Sequence, residues 1–202
     1  MSLWRGTDPL VLASRSAARR AVLEAAGIPI KIHPADLDER ALEARAPSQA
    51  PAAIAVFLAR EKALFVARRH PGKLVIGADQ TLALGDKRFA KPAGRAAART
   101  QLQELRARTH ALHAAVAIVR DATPLFEHVD SAQLTMRRFS DEFLDRYLDA
   151  VGDGATASVG AYQIEGPGTQ LFERIDGDYF TILGLPLLAA LAFLRGQGCL
   201  AV

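Results

Sequence analysis

The sequence predicts an α/β fold, a mixed twisted sheet flanked by helices, and two observations carry that prediction. Apolar runs of strand length alternate along the chain with segments in which apolar residues recur at helical spacing. Both short turns and whole helices connect the strands, which favours a mixed sheet over a purely parallel one. The chain has 202 residues, 50% of them hydrophobic, and a net charge of +3. It is therefore expected to fold as a single domain over residues 1–202, either as one large body or as two small lobes that share a core.

The predicted elements follow one another with little chain between them. A short apolar strand opens the series, and a polar turn leads into a helix that ends at Gly27, because glycine readily adopts the left-handed conformation that often follows a helix. The predicted strands are 10–13, 28–33, 74–84, 109–119, 126–139 and 171–175. The predicted helices are 17–26, 48–69, 94–106, 141–150 and 185–195.

Turn and cap signals indicate how these elements join. Gly85-Asp86-Lys87 predicts a hairpin after the third strand, and an antiparallel strand pair is expected across a turn at residues 121–124. An acidic turn, Asp36–Glu39, follows the second strand. Ser140 precedes two acidic residues, so it predicts the N-cap of the fourth helix.

Composition and charge pattern argue against several functional classes. Basic residues are scattered among acidic ones and no aromatic platform is visible, so nucleic-acid binding is not expected. The apolar segment from Phe180 to Leu194 is interrupted by Gly184 and Pro186 and is shorter than the ~20 residues that cross a bilayer. No signal peptide is predicted either, so no membrane association is expected. Cys199 is the only cysteine, which excludes an internal disulfide and suits a reducing compartment.

The turn after the first strand is the first candidate site. Ser14, Ser16 and Arg19 lie where a helix begins, and the N–H groups and dipole of a helix N-terminus favour an anion. Hydroxyl groups add donors, and a guanidinium group can bind phosphate oxygens with two hydrogen bonds. The segment therefore predicts a phosphate-binding turn without a Walker-type loop. The structural alternative is that Ser16 only caps the helix while the arginines lie in solvent.

Asp79 is the second candidate, because it lies in a strand that is otherwise apolar. Burying a carboxylate without a partner is costly, so such a residue is expected to face a ligand cleft, a metal ion or a cation. Catalysis is the favoured interpretation. The structural alternative is that Asp79 caps a loop or pairs with a buried arginine.

Two lysines and a group of acids complete the candidate set. Lys62 is predicted on the inner side of the long second helix, and Lys91 lies in a turn; together with arginines they could neutralise a triphosphate. Asp36, Asp38 and Glu39 carry hard oxygen ligands that could help to hold Mg²⁺ or Mn²⁺. Each feature alone is also compatible with an ordinary surface residue.

The remaining polar residues are less informative. His110 and His113 are three apart, which on a strand places them on opposite faces, so both are expected to be ordinary strand residues. Glu165 lies in a glycine-rich segment, Gly160–Gly168, which suits either close approach to a ligand or a plain turn. No motif of a zinc hydrolase or of a nucleophilic triad is present.

In chain order these segments resemble the motifs of the Maf family of nucleoside triphosphate pyrophosphatases, also described as septum formation inhibitors. Eight motifs match in order over nearly the whole chain, which makes the resemblance specific. They are Leu12–Arg20 (L-A-S-x-S-P-R-R), Asp36–Glu39 (D-x-D-E), Glu61–Ala63 (E-K-A), Gly77–Asp79 (G-A-D), Lys91-Pro92 (G-K-P), Thr109-His110 (T-H), Gly160–Gly166 (A-G-A-Y-x-x-x-G) and Gly184–Pro186 (G-L-P).

The resemblance implies a fold related to the inosine triphosphatases, with two lobes around a central cleft. It also implies a cytoplasmic location, a divalent cation (Mg²⁺ or Mn²⁺), a possible homodimer, and a housecleaning role in which a nucleoside triphosphate is cleaved between its α- and β-phosphates. By the same resemblance Asp79 is the proton acceptor, and Glu39 and Asp79 place the metal. The implied phosphate-binding residues are Ser14, Arg19, Lys62 and Lys91.

Base preference is expected from three further positions. Members that resemble dTTP/UTP pyrophosphatases carry Arg, Thr and Gln there, and members that resemble 7-methyl-GTP pyrophosphatases carry Trp, Gln and Glu. This chain has Ala18, Gln80 and Glu165. A carboxylate at Glu165 can accept both N1–H and the exocyclic amine of guanine, so a purine or modified nucleotide is favoured. Ala18 lacks the ring that would stack on a methylated purine.

Three other interpretations fit some of the same residues. A phosphatase with the same cationic site would release inorganic phosphate instead of pyrophosphate. A non-catalytic nucleotide-binding regulator of cell division or septum formation would bind a nucleotide without metal-dependent hydrolysis. A structural α/β domain would leave the polar residues in apolar strands unexplained.

Overall fold

The computed structural model describes residues 3–201, and in that part of the chain it shows an α/β fold built on a mixed sheet. The strands are β1 Leu10–Leu12, β2 Ile30–Ile32, β3 Leu74–Leu84, β4 Lys87–Phe89, β5 Thr109–Arg120, β6 Thr123–Met136 and β7 Phe172–Asp176. The α-helices are α1 Ala17–Ala25, α2 Glu39–Ala44, α3 Pro51–Ala67, α4 Arg95–Leu105, α5 Asp141–Val151, α6 Tyr179–Ile182 and α7 Leu187–Gly196. Short 3₁₀ helices cover Gly152–Thr156, Val159–Ala161 and Pro167–Leu171.

Strand pairing confirms the mixed sheet. β1 runs parallel to both β2 and β3, whereas β4 is antiparallel to β3 and β7 is antiparallel to β6. The chain divides into two compact units. The first comprises the chain through Gln80, His113–Asp130 and the chain from Asp178 onward, and the second comprises Thr81–Leu112 and Ser131–Gly177. The long strands β3, β5 and β6 contribute residues to both units.

The first unit is built on strands in the order β2-β1-β3-β5-β6. Helices α1 and α7 supply apolar side chains to one core cluster, which includes Leu23, Ile76 and Leu194. Helix α3 presents a row of alanines four residues apart. Ala55 and Ala59 pack with Ala115 and Ala117, and Ala63 and Ala67 belong to a cluster with residues of β1, β3 and β5. Because these side chains are small, α3 lies close to the sheet.

The second unit is built on strands in the order β4-β3-β5-β6-β7, with α4, α5 and the 3₁₀ helices. Gln101 of α4 connects the chain segments at Ala90 and Gly160. Its Nε2 donates to the carbonyl oxygen of Ala90 at 3.0 Å, and its Oε1 accepts from the backbone N of Gly160 at 3.0 Å. Ser140 caps α5 by accepting from the backbone N of Phe143 at 3.1 Å, which confirms the predicted cap.

Several boundaries differ from the sequence prediction. The acidic turn at residues 36–39 ends in a short helix, α2, because Asp38 caps it by accepting from the backbone N of Ala41 at 3.0 Å. Strand β6 begins at Thr123 instead of residue 126, since Asp121 adopts a left-handed φ of 55° and the reversal is tight. Strand β2 is shorter than predicted. Within residues 3–201 no helix combines the length and the hydropathy required to cross a bilayer.

Candidate active site

The end of β1 and the start of α1 form the predicted polar turn. Ser16 caps α1, and its hydroxyl oxygen accepts from the backbone N of Arg19 at 3.3 Å. Ser14 is buried, and its hydroxyl oxygen accepts from the backbone N of Ser16 at 3.2 Å. In the parallel register Leu12 lies opposite Ile76, so the turn is adjacent to the segment of β3 that leads to Asp79. The structure therefore confirms the predicted cap, and phosphate binding by this turn stays a prediction.

Arg19 is held within the fold and does not lie in solvent as the structural alternative supposed. Its Nε donates to the carbonyl oxygen of Gly184 at 2.8 Å, and its Nη1 donates to the carbonyl oxygen of Ala78 at 2.8 Å and to the hydroxyl oxygen of Ser14 at 3.2 Å. Burial lowers the pKa of Arg19, and the carboxylates of Asp79 and Glu39 raise it. A guanidinium keeps its charge at physiological pH, so Arg19 supplies a fixed positive charge.

Gly77 allows β3 and α3 to approach closely. A Cβ at this position would collide with the carbonyl oxygen of Ala59 and with Ala63, so the helix could not keep its place over a larger residue. Lys62 lies on the same helix and is only 8% exposed, and Asp79 lies two residues beyond Gly77 and is 7% exposed. The close approach therefore brings a buried lysine and a buried aspartate together.

Lys62 donates to two carboxylates. Its Nζ lies 2.6 Å from Oδ1 of Asp79 and 2.8 Å from Oε1 of Glu39. Glu39 is the first residue of α2, and its side chain is half exposed. The prediction that Lys62 faces inward is confirmed, and the acid in the apolar strand pairs with a lysine. The structural alternative had proposed a buried arginine for that partner.

Burial and charge act on Asp79 in opposite directions. Burial raises the pKa of Asp79 above its usual value, while the positive charges of Lys62 and Arg19 lower that pKa and Glu39 adds a small upward contribution. The net direction is upward because desolvation disfavours the charged form most. A carboxyl group with a raised pKa accepts a proton more readily than an ordinary aspartate does.

The two carboxylates are suited to a hard divalent cation. Mg²⁺ is usually bound by one or two carboxylates together with phosphate oxygens of the substrate, and Glu39 and Asp79 supply oxygen ligands of this kind. Asp36 and Asp38 do not join them: Asp36 pairs with Arg15 at 3.7 Å on the surface, and Asp38 caps α2. Among the described residues no group of three or more His, Cys, Asp or Glu side chains forms a metal site.

Gln80 is anchored by the last two residues of α6. Its Nε2 donates to the carbonyl oxygens of Thr181 and Ile182, both at 3.0 Å. Asp178 caps α6, because its Oδ1 accepts from the backbone N of Thr181 at 3.0 Å. This cap stabilises the helix that carries the two carbonyl groups. Two carbonyl neighbours fix which end of the amide is the nitrogen.

The remaining predicted residues are Ala18, Lys91 and Glu165. Ala18 is half-buried in the first turn of α1. Lys91 and Glu165 belong to the second unit and are exposed. The structure therefore brings together six predicted residues within the first unit. They are Ser14, Arg19, Glu39, Lys62, Asp79 and Gln80.

Sequence reasoning missed the backbone groups that hold this cluster in place. The carbonyl oxygens of Ala78 and Gly184 position Arg19, and backbone carbonyls carry no residue-type signal. Gly184 did offer a signal, because it lies in a Gly-Leu-Pro motif. With a φ of 88° and Arg19 atoms 3.3 Å from where its Cβ would lie, this position requires glycine.

Comparison with known proteins gives four findings. A family model described as Maf-like protein matches residues 9–197. A nucleoside triphosphate pyrophosphatase from Rhodopseudomonas palustris is 58% identical over 202 residues, 100% of both chains. A 7-methyl-GTP pyrophosphatase from Brucella abortus biovar 1 is 52% identical over 196 residues, 96% of this chain and 98% of that one. Among solved structures, a HAM1 protein from Coxiella burnetii has a TM-score of 0.41 and 16% identity, over 65% of this chain and 74% of that one.

Proposed function

The chain belongs to the Maf family, and from this premise we propose that it is a nucleoside triphosphate pyrophosphatase. The reaction is the hydrolysis of a nucleoside triphosphate between its α- and β-phosphates, which yields a nucleoside monophosphate and pyrophosphate. Two relatives that align over nearly their whole length are named as pyrophosphatases of nucleoside triphosphates, which supports this class of hydrolase.

The single observation that carries the proposal is the buried pair of Asp79 and Lys62, which the half-exposed Glu39 joins beside Arg19. A buried ion pair is often no more stable than apolar residues of similar volume, so stability alone does not account for two side chains that are each only 10% exposed. Groups whose pKa is shifted by burial and by a specific charge are typical of functional sites.

In this proposal the cations and the hydroxyl group near Asp79 bind the phosphates. Arg19 and Lys62 supply positive charge for the phosphate oxygens, and Ser14 supplies a hydroxyl next to the guanidinium. Charges held in place before the reaction stabilise the charge that develops on phosphate oxygens without reorganising at that moment. Lys91 is proposed as a further phosphate ligand, on its match to the family motif alone.

Asp79 is the residue that orients and deprotonates the attacking water. Its raised pKa favours acceptance of the proton as the water attacks the α-phosphorus, with pyrophosphate as the leaving group. Glu39 and Asp79 would hold a divalent cation, Mg²⁺ or Mn²⁺, which when bound neutralises charge on the phosphate oxygens. We also propose that the reaction depends on a divalent metal ion and that the protein forms a homodimer.

Base recognition is proposed to favour a purine or a modified nucleotide. Gln80 is held by two backbone carbonyls, so its amide is presented in one orientation. Glu165 could accept two N–H groups from a guanine, and a pyrimidine offers no such pair. The relative named for 7-methyl-GTP supports this direction at 52% identity.

A nucleotide panel tests the proposed function. The ordinary and deoxynucleoside triphosphates, 7-methyl-GTP and pseudouridine triphosphate are incubated with and without Mg²⁺ or Mn²⁺, and the products are separated by chromatography. Metal-dependent release of monophosphate and pyrophosphate is expected. Release of inorganic phosphate would identify a phosphatase instead. Tight nucleotide binding without turnover, by protein shown to be folded, would identify a non-catalytic regulator.

A further inference from the structure

We propose that Lys62 occupies the position of the divalent cation in the free protein, so that a metal ion enters this site only together with a nucleoside triphosphate. The inference rests on the proposed function and adds an order of binding to it. It assigns to Lys62 a second role, the exclusion of metal from the empty site, beside phosphate binding.

The geometry places one ammonium group where one metal ion would be held. Nζ of Lys62 lies 2.6 Å from Oδ1 of Asp79 and 2.8 Å from Oε1 of Glu39, and these carboxylates come from different elements, β3 and α2. Mg²⁺ would bind the same oxygens at about 2.0–2.1 Å. An ammonium and a dication would compete for these two oxygens, because two positive charges that close together repel each other.

Release of Lys62 requires a new anion. The lysine side chain is only 10% exposed, so moving it away from both carboxylates without a replacement would leave a buried charge without a partner, which is strongly unfavourable. A triphosphate can supply that replacement, since its oxygens accept from the ammonium while the metal ion takes the carboxylates. Metal and nucleotide therefore support each other's binding, and this coupling is reciprocal.

Arg19 cannot make the same exchange. Its Nε and Nη1 donate to the carbonyl oxygens of Gly184 and Ala78, which are fixed parts of the backbone. Lys62, in contrast, is bound by carboxylates and sits at the end of a flexible chain. The two cations thus differ: Arg19 is fixed by backbone carbonyls, and Lys62 is exchangeable.

Mn²⁺ titration of nucleotide-free protein tests the proposal, with free Mn²⁺ followed by electron paramagnetic resonance. Lys62→Met should bind Mn²⁺ about tenfold or more tightly than the wild type, which lies within the usual range of coupling between sites. The matched control is Lys73→Met, which removes a lysine that pairs with Asp8 at 2.7 Å in the same unit, and it should bind Mn²⁺ as the wild type does. Equal or weaker binding by folded Lys62→Met overturns the proposal.

Two further measurements test the proposal without relying on Lys62→Met alone. Adding Glu39→Gln to Lys62→Met should abolish the gain in Mn²⁺ affinity, because the gain requires both carboxylates. If Lys62→Met does not fold, the wild type decides: micromolar Mn²⁺ binding without nucleotide that Glu39→Gln abolishes overturns the proposal, and its absence supports it. The readout is metal binding, so failure here is distinct from failure of the nucleotide panel, which would reject the proposed function.

Discussion

Asp79 has two properties that act on its protonation in opposite directions. It is buried, which raises its pKa, and it lies 2.6 Å from the ammonium of Lys62, which favours its ionised form. A structural ion pair would gain nothing from the first property. A general base gains from both, because it must be ionised before the reaction and accept a proton during it.

Replacing Asp79 by Asn tests this role. We expect Asp79→Asn to lower kcat by about 10²–10⁴-fold, because it removes the proton acceptor while keeping the size of the side chain. Nucleotide binding should be largely retained, since the amide removes negative charge from a site that receives phosphates. Steady-state kinetics give kcat, and titration with a non-hydrolysable nucleotide gives the affinity.

The control for that variant is Asp8→Asn, which removes a carboxylate that pairs with Lys73 on the surface. This variant should keep the kcat of the wild type. A kcat for Asp79→Asn close to that of the wild type would remove Asp79 from the chemical step.

Glu165 provides the test of base recognition. It is exposed in the second unit, so its replacement is not expected to disturb the core. Glu165→Gln should reduce the preference for guanine-type bases, since an amide accepts through one oxygen only; each lost hydrogen bond to a charged acceptor is worth about 1.5–3 kcal/mol. The measurement is kcat/KM across the nucleotide panel.

Glu173→Gln is the matched control for Glu165→Gln, because Glu173 is an exposed glutamate on β7 of the same unit. Its preference among bases should match that of the wild type. Identical preferences in Glu165→Gln and the wild type would show that the carboxylate does not read the base.

At the scale of elements, the site depends on how closely α3 approaches β3. The alanine row of the helix and Gly77 of the strand together leave room for that approach. Helix α2 then adds Glu39 from its first turn, where a negative charge is favourable. Lys62 reaches its two partners because three elements converge.

Gly77→Ala should therefore disturb both stability and activity. Its Cβ would collide with the backbone of α3, so we expect a loss of about 1–3 kcal/mol in the free energy of unfolding, typical of overpacking. Urea denaturation measures this loss, and kcat/KM should fall as Lys62 moves away from Asp79. Gly196→Ala is the control, since no atom lies within 4 Å of its Cβ position. A Gly77→Ala protein as stable as the control would contradict the close approach.

The elements also show what the sequence could predict. Periodicity located all five long helices, and the cap signals at Ser16 and Ser140 proved correct, because hydrogen bonds between neighbouring residues depend on local sequence. Lys62 was predicted to face inward because it interrupts an apolar pattern. Helix α2 was missed: it is six residues long, and only the Asp38 cap marks it.

The parts of the site that were not predicted depend on distant residues. Arg19 reaches the carbonyl oxygen of Gly184, 165 residues along the chain, and no local pattern specifies such a contact. The buried face of α3 is also hard to predict: Ile54 and Leu58 are fully buried, whereas the equally apolar Ala53, Val56 and Phe57 are only half-buried. Nearly every residue in that stretch is apolar, so periodicity alone could not choose the face.

At the scale of the whole molecule, stability should respond to pH through a histidine in the core. His110 was expected to be an ordinary strand residue, and the structure buries it at 1% exposure. Its Nε2 lies 2.7 Å from the hydroxyl of Tyr162, and its Nδ1 has no hydrogen-bond partner among the described residues. Burial lowers the pKa of His110 to about 4. The folded protein therefore keeps this imidazole neutral under mildly acidic conditions.

The sign of the pH effect follows from proton binding. In the unfolded chain the imidazole takes up a proton near pH 6.5, whereas in the folded protein it does so only near pH 4. The unfolded state binds more protons between these values, so the free energy of unfolding should fall as the pH is lowered from about 6.5 to about 4, by roughly 3 kcal/mol from this residue. Urea denaturation at steps across this range measures the fall. His110→Gln should flatten this pH profile of stability. His128→Gln removes a half-buried imidazole that pairs with Asp130, and it should keep the slope of the wild type. If the free energy of unfolding depends on pH in the same way in the wild type and in His110→Gln, another group causes the loss of stability in acid.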